Sequence, residues 1–285
     1  MADQLIRFDH IVKRFHVGTP DETTLFDGFD FGVDEGEFIS IVGSNGSGKT
    51  TLLNLLCGSL PLDAGRLYYR NRDITRLPEH KRAAFIGRVF QDPAKGSCPD
   101  LTILENMALA DNKKGRYSLA PAIGKKRIDA YRSMLEICNM GLENRLGQPV
   151  GSLSGGQRQA LALVIAGMTD IDILVLDEHT AALDPKSSER VMEITRKLVE
   201  ERKVTTLMVT HNLRFAVQYG TRLVMMHAGQ AVLQSEIYAS GRRLRVQDRH
   251  REDIGILVRL GCPYLRFLKK HITFAPHMEG RAVQQ

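Results

Sequence analysis

Gly43-Ser44-Asn45-Gly46-Ser47-Gly48-Lys49-Thr50-Thr51 follows the apolar run Phe38-Ile39-Ser40-Ile41-Val42 and leads into Leu52-Leu53-Asn54-Leu55-Leu56. The order is strand, glycine loop, lysine, hydroxyl, helix, at the spacing of a phosphate-binding P-loop. Glycines let the backbone curl until successive N–H groups point at one anion. The helix that starts there adds the positive end of its dipole. Lys49 is placed to reach the β- and γ-phosphates of a nucleoside triphosphate, and the Thr50 hydroxyl to hold Mg²⁺. A Gly/Ser-rich stretch between apolar runs is often only a turn. The fixed spacing, with strand before and helix after, favours the phosphate reading.

Outward from the loop, the chain alternates between apolar strands and helical patterns. Leu5–His10 and Leu25–Val33 read as short strands around a polar loop. Leu67-Tyr68-Tyr69 and Val89-Phe90 read as further strands. From Leu101 to Gly141 the pattern turns helical, with Ile128, Tyr131, Leu135 and Cys138 at three- and four-residue spacing. A helix is expected over Gly155–Gly167 and another over Ser187–Arg202. Ile171–Asp177 and Thr205–Thr210 are near-continuous apolar runs, and Arg222–Leu233 reads as a hairpin across Ala228-Gly229-Gln230. Apolar strands joined by helices predict a parallel sheet covered on both faces. The predicted fold is α/β, with a helical insertion at about residues 93–166.

The 285 residues are 43% hydrophobic and 25% charged, as in ordinary globular proteins. No run approaches the ~18 apolar residues of a membrane span. The N-terminus lacks the basic, apolar and small-residue order of a signal peptide. Cys57, Cys98, Cys138 and Cys262 show neither metal spacing nor a pairing pattern, and are expected as buried thiols in a reducing compartment. The net charge of +6 is confined to residues 241–285, with ten Lys/Arg against four Asp/Glu. Residues 1–240 balance at 29 against 29. The basic character therefore belongs to the tail, and no nucleic-acid partner is expected.

Two further segments carry chemistry. Ile173-Leu174-Val175-Leu176-Asp177-Glu178 is a strand ending in two carboxylates. Downstream of a P-loop, the first acid suits Mg²⁺ and the second a base for attacking water. Leu153-Ser154-Gly155-Gly156-Gln157 opens a helix that Ser154 can cap. Its glycines leave a second anion-binding terminus, which one triphosphate on one P-loop does not explain.

Together these segments resemble the nucleotide-binding subunit of an ATP-binding cassette (ABC) transporter, over about residues 4–235. The resemblance implies a P-loop NTPase (RecA-like) core with an antiparallel β subdomain and an inserted helical subdomain. It also implies two copies paired head to tail, binding ATP and Mg²⁺. The P-loop of one copy and Ser154, Gly155, Gly156 and Gln157 of the other then sandwich each nucleotide. Gln91 matches the glutamine that senses the γ-phosphate through Mg²⁺ and water. Ala181-Ala182-Leu183-Asp184 matches the loop coupling the two sites. His211, at the end of the strand Thr205–Thr210, matches the histidine on the γ-phosphate; alone it would more often be a satisfied strand-end histidine. Phe15 resembles the aromatic that stacks on adenine, with His16 and a core role for Phe15 as alternatives. In this scheme Glu178 polarises water, Gln91 and His211 orient it, and Thr50, Gln91 and Asp177 serve the metal.

The resemblance further implies separate permease subunits docking around Asp92–Asn106, attachment at the cytoplasmic face of the membrane, and an extracytoplasmic substrate-binding protein. Two features depart from the family. His179 stands where proline usually follows the catalytic glutamate, bringing an imidazole near the γ-phosphate; a solvent-facing or hydrogen-bonding role is expected before a catalytic one. Ala160 stands where arginine is common. Glu178-His179-Thr180-Ala181-Ala182-Leu183-Asp184 resembles a small branch of importer ATPases, associated with binding proteins for amino acids, including aromatic ones. An exporter or cell-envelope ATPase and a soluble non-transport ABC ATPase remain alternatives. Residues 241–285 fall outside the resemblance. They read as a basic tail in which Ile254–Leu268 could form an amphipathic helix, and His250, His271 and His277 lack metal-ligand spacing.

Overall fold

In the computed structural model, which describes residues 4–112, 125–238, 243–246 and 272–274, every residue of Phe38–Gly43 (β3), Ile173–Asp177 (β7) and Thr205–Val209 (β8) is buried. Strands apolar on both sides need cover on both faces, and alternation sends successive residues to opposite cores. Ile39, Ile41, Ile173, Val175, Leu207 and Val209 pack with Leu52, Leu53 and Leu56 of Lys49–Cys57 (α1). Leu174, Leu176 and Met208 pack instead with Leu161 of Gly155–Gly167 (α5) and Met192 of Pro185–Arg202 (α6).

With Ile86–Val89 (β6) and Arg222–His227 (β9), these strands form a parallel set in the order β9-β3-β8-β7-β6. Parallel strands end at one edge. Gly43, Phe90, Glu178 and Thr210 therefore emerge side by side, and this edge is where open α/β sheets bind ligands. Gln230–Tyr238 (β10) continues the sheet antiparallel to β9.

A second sheet covers the α1 side. Ile6–Phe15 (β1), Thr23–Val33 (β2), Ala64–Tyr69 (β4) and Arg72–Asp73 (β5) pair antiparallel in the order β2-β1-β4-β5. Its buried face carries Phe8, Phe26, Phe29 and Phe31, with the Phe26 and Phe29 ring centres 5.0 Å apart. β1 and β2 run longer than their sequence pattern suggests. Bulges between Phe8 and Arg14, with His10 at φ 48°, break the alternation that would reveal the continuation past His10.

The expected helical stretch after Leu101 becomes Ile103–Asp111 (α3) and Lys125–Glu136 (α4). Thr102 and Glu105 form a capping box at α3. Buried Asn106 ties the preceding loop to this helix: its Oδ1 accepts from Cys98 N at 2.7 Å, and its Nδ2 donates to the Cys98 and Thr102 carbonyls at 3.0 Å. Cys57 and Cys138 are buried as expected, whereas Cys98 is exposed on that loop. Cys262, Ile254–Leu268, His250, His271 and His277 lie outside the described residues. Within the tail, Arg243–Val246 (β11) pairs with β10, and Ile272–Phe274 (β12) pairs with β11, extending the main sheet. No helix among the described residues is long and apolar enough to cross a membrane.

Candidate functional site

The P-loop turns on backbone that side chains would obstruct. Gly46 and Gly48 have φ of 77° and 103°, in the left-handed half of the map that favours glycine. A Cβ at Gly48 would stand 3.0 Å from the Phe26 ring. The loop is propped from behind by the β9–β10 turn, where Ala228 and Gly229 both have positive φ, and Gly229 N donates to Ser47 O at 3.1 Å. Ser154, Asp184 and Asn212 each cap their own helix with a side chain, but α1 starts at Gly48 without one. Its first N–H groups have no side-chain cap, the arrangement an anion site requires.

Lys49 is buried, and its Nζ donates to the carbonyls of Gly43 at 3.0 Å and Ser44 at 2.8 Å. Burial pulls its pKa down, and the charges of Glu178 and Asp177 pull it back up. Thr50 Oγ1 donates to Asp177 Oδ1 at 3.2 Å, bringing P-loop hydroxyl and strand-end carboxylate together. Burial pushes the Asp177 pKa up, opposed first by Arg88. A hydroxyl beside a carboxylate is a donor set suited to Mg²⁺, which prefers oxygen ligands.

Glu178 follows with φ 48°, a strained position for a side-chain-bearing residue. It is held by its N–H to Val209 O at 3.0 Å and by its carbonyl, which accepts from Ala181 N at 2.9 Å. This turn swings the carboxylate out of the strand, and Oε1 lies 2.7 Å from His211 Nε2. Glu178 lines two clefts. One contains Phe15, Thr23, Leu25, Asn45, Gly46, Gly48, Lys49, Thr50 and Thr51. The other contains Thr180, Ala181, Leu183, His211 and Arg214. Phe15 thus lines the P-loop cleft, while His16 is exposed and does not line it.

Ser154, Gly155, Gly156 and Gln157 do not line that cleft. They begin α5 through a reciprocal cap: Gln157 N donates to Ser154 Oγ at 3.3 Å, and Ser154 N to Gln157 Oε1 at 3.1 Å. Asp184 caps the adjacent α6 by accepting from Ser187 N at 3.0 Å. A Cβ on Gly156 would lie 3.0 Å from Ser187 Oγ, so the two helix starts abut. Gln91 is exposed just beyond β6, and the carbonyl before it, Phe90 O, accepts from the buried Gln159 Nε2 at 3.0 Å.

His179 corrects the expectation of an imidazole at the phosphates. Its side chain is buried behind the strand end, 3.4 Å from Thr195 Oγ1. The next residue after the outward-turned Glu178 points inward, so the ring packs against α6. Burial drives its pKa down to about 4. An unfolded histidine protonates near 6.5, so the unfolded chain binds more protons between pH 6.5 and 4. Stability falls as pH drops through that window. We expect this residue to contribute about 2 kcal/mol of stability loss between pH 7 and pH 5. Denaturant unfolding at the two pH values should show a smaller loss in His179→Gln than in the wild type; equal losses would contradict it.

One site residue escaped the sequence reading. Arg88, alone in the apolar strand β6, sends Nη2 to within 3.4 Å of Asp177 Oδ2. A charge inside a buried parallel strand was the available signal.

Residues 26–181 match the family described as ABC transporter. The chain is 40% identical over 252 residues to the tyrosine transport ATP-binding protein of Clostridioides difficile (strain R20291), covering 88% of this chain and 96% of that one. An ATP-binding cassette solved as a dimer in a post-hydrolysis state with ADP and Pi is 28% identical, with a TM-score of 0.71, covering 82% of this chain and 99% of that one. A nucleotide-free cassette from an ABC transporter is 26% identical with a TM-score of 0.70, covering 93% and 98%.

Proposed function

The chain belongs to the ABC transporter family as an ATP-binding, ATP-hydrolysing subunit, and from that premise we propose that it powers import of a small solute, an aromatic amino acid such as tyrosine. The observation that carries the hydrolytic part is the 2.7 Å contact between His211 and Glu178, which also lines the P-loop cleft. The likeness to a tyrosine transport ATP-binding protein over most of both chains supports the substrate class.

In this reading the free N–H groups of α1 and the Lys49 ammonium bind the phosphates, and Phe15 stacks on the base. Thr50 and Asp177 would hold Mg²⁺, together with Gln91; when bound, the ion would offset phosphate charge. Glu178 takes a proton from the attacking water. His211 orients Glu178 and the γ-phosphate. The capped start of α5 faces the nucleotide of a second copy, so two chains close head to tail around two ATP molecules. The loop Asp92–Asn106 receives the permease, at the cytoplasmic face of the membrane. A substrate-binding protein delivers solute on the far side.

The Glu178→Gln chain, tagged and extracted from its own host in mild detergent, tests this. A multi-span permease with a lipid-anchored binding protein that binds tyrosine is the expected companion set. A permease without any binding protein would favour export. Ribosomes or soluble proteins alone would overturn the transport reading.

A further inference from the structure

Arg88 does something the family chemistry does not ask of it. Its side chain is only 12% exposed. The guanidinium is pinned on several sides: Nη2 donates to Asn54 Oδ1 of α1 at 2.7 Å, Nη1 to Ser59 Oγ at 3.2 Å, and the group lies 4.5 Å from the centre of the Phe90 ring. From that position Nη2 faces Asp177 Oδ2, while the other carboxylate oxygen, Oδ1, takes the Thr50 hydroxyl. The two oxygens of one carboxylate are thus divided between a cation and the P-loop.

We propose that Arg88 is a cationic counterweight on the magnesium site, a positioning residue that weakens metal binding there and ties it to the Gln91 loop. The proposal rests on Asp177 and Thr50 being the metal's residues. The bonds to Asn54 and Ser59 and the position over the Phe90 ring hold the Arg88 guanidinium beside Asp177. Its charge therefore opposes Mg²⁺ at short range, in a partly buried setting where screening by water is weak. Phe90 is gripped from both sides, its ring by Arg88 and its carbonyl by Gln159, and Gln91 is the next residue. A metal held by Asp177 would face a cation that rests on the base of the Gln91 loop.

The direction of the effect separates this role from a merely structural one. A structural arginine, once removed, loosens the site; a counterweight, once removed, tightens it. ADP binding to the wild-type chain, titrated by calorimetry in EDTA and in Mg²⁺, gives the factor by which the metal improves nucleotide affinity without any turnover. Arg88→Gln, neutral and polar, should raise that factor about fivefold or more. Arg88→Lys keeps the charge and should stay near the wild-type factor. Mn²⁺ bound in the presence of ADP, followed by electron paramagnetic resonance, should tighten in parallel in the Gln variant. Should Arg88→Gln not fold, Arg88→Met takes its place, filling the same space beside Phe90. An unchanged or smaller factor in the neutral variant overturns the proposal, as does loss of folding in both neutral variants. A wild-type chain whose ADP affinity ignores Mg²⁺ overturns the Asp177–Thr50 reading and the proposal with it.

Discussion

Glu178→Gln is expected to hydrolyse ATP some 10²- to 10⁴-fold more slowly than the wild type, the range for losing a positioned general base. The substitution keeps the shape of the side chain and removes its ability to take a proton. The 2.7 Å partner, His211 Nε2, can still meet an amide oxygen. ATP binding should survive and even tighten. The Glu178 carboxylate shares the P-loop cleft with Lys49, and its charge acts on that ammonium. Removing one negative charge from the cleft relieves repulsion of the triphosphate. ATP-bound dimers should then accumulate, because the step that opens them is blocked. Phosphate release measures turnover, calorimetry measures ATP binding, and size-exclusion chromatography with ATP measures the dimer. Turnover within a few-fold of wild type would remove Glu178 from the base role.

The same site shows why a carboxylate stands at a strained position. Glu178 at φ 48° costs on the order of 1 kcal/mol in backbone strain. The turn it makes separates two consecutive side chains that would otherwise alternate about the strand. Asp177 stays beside the P-loop hydroxyl, Glu178 swings out to His211, and His179 goes into the core. Three adjacent polar residues thereby acquire three environments. The neutral, buried His179 anchors the back of the turn through Thr195, whose own hydroxyl donates to Val191 O at 2.9 Å.

Local signals carried much of the architecture. The apolar runs Phe38–Val42, Ile173–Leu176 and Thr205–Val209 could be read as buried parallel strands because burial on both faces removes polar alternation. Once those strands are parallel, their ends must share an edge, so Lys49, Asp177, Glu178 and His211 converge as a consequence of topology. The start of α5 was legible for a similar reason, since Ser154 and Gln157 cap through neighbours three residues apart. What stayed hidden depends on distant partners. Nothing near His179 announces Thr195, sixteen residues on. Arg88 reads as a stray charge until Asp177, 89 residues away, is brought to it. Bulged β1 hid its second half because bulges shift the very alternation used to find strands.

Arg82 is the extreme case, and its replacement should give a large loss of stability. In sequence it ends a polar run, Glu79-His80-Lys81-Arg82. In the structure Glu79–Arg82 (α2) turns Arg82 inward until 3% of it is exposed. All five guanidinium donors have backbone acceptors. Nε meets Leu77 O at 2.7 Å, Nη1 meets Leu55 O and Leu56 O at 2.8 Å, and Nη2 meets Ile74 O at 2.7 Å and Thr75 O at 3.1 Å. Leu55 and Leu56 lie in the last turn of α1, whose carbonyls lack helical partners, so the cation also faces the negative end of that dipole. Burial depresses the pKa of Arg82, as desolvation of a cation must. Arg82→Met keeps the bulk but removes all five bonds, three of them buried, which should cost about 3–5 kcal/mol. The thermal midpoint should fall by ~10 °C for a domain of this size. Arg82→Lys retains the charge but offers only three donors in place of a planar fork, so it should recover only part of the loss. Because α1 carries the P-loop at its other end, ADP binding should rescue part of the lost midpoint in both variants. A midpoint within 2 °C of wild type for Arg82→Met would mean that water replaces the guanidinium at little cost.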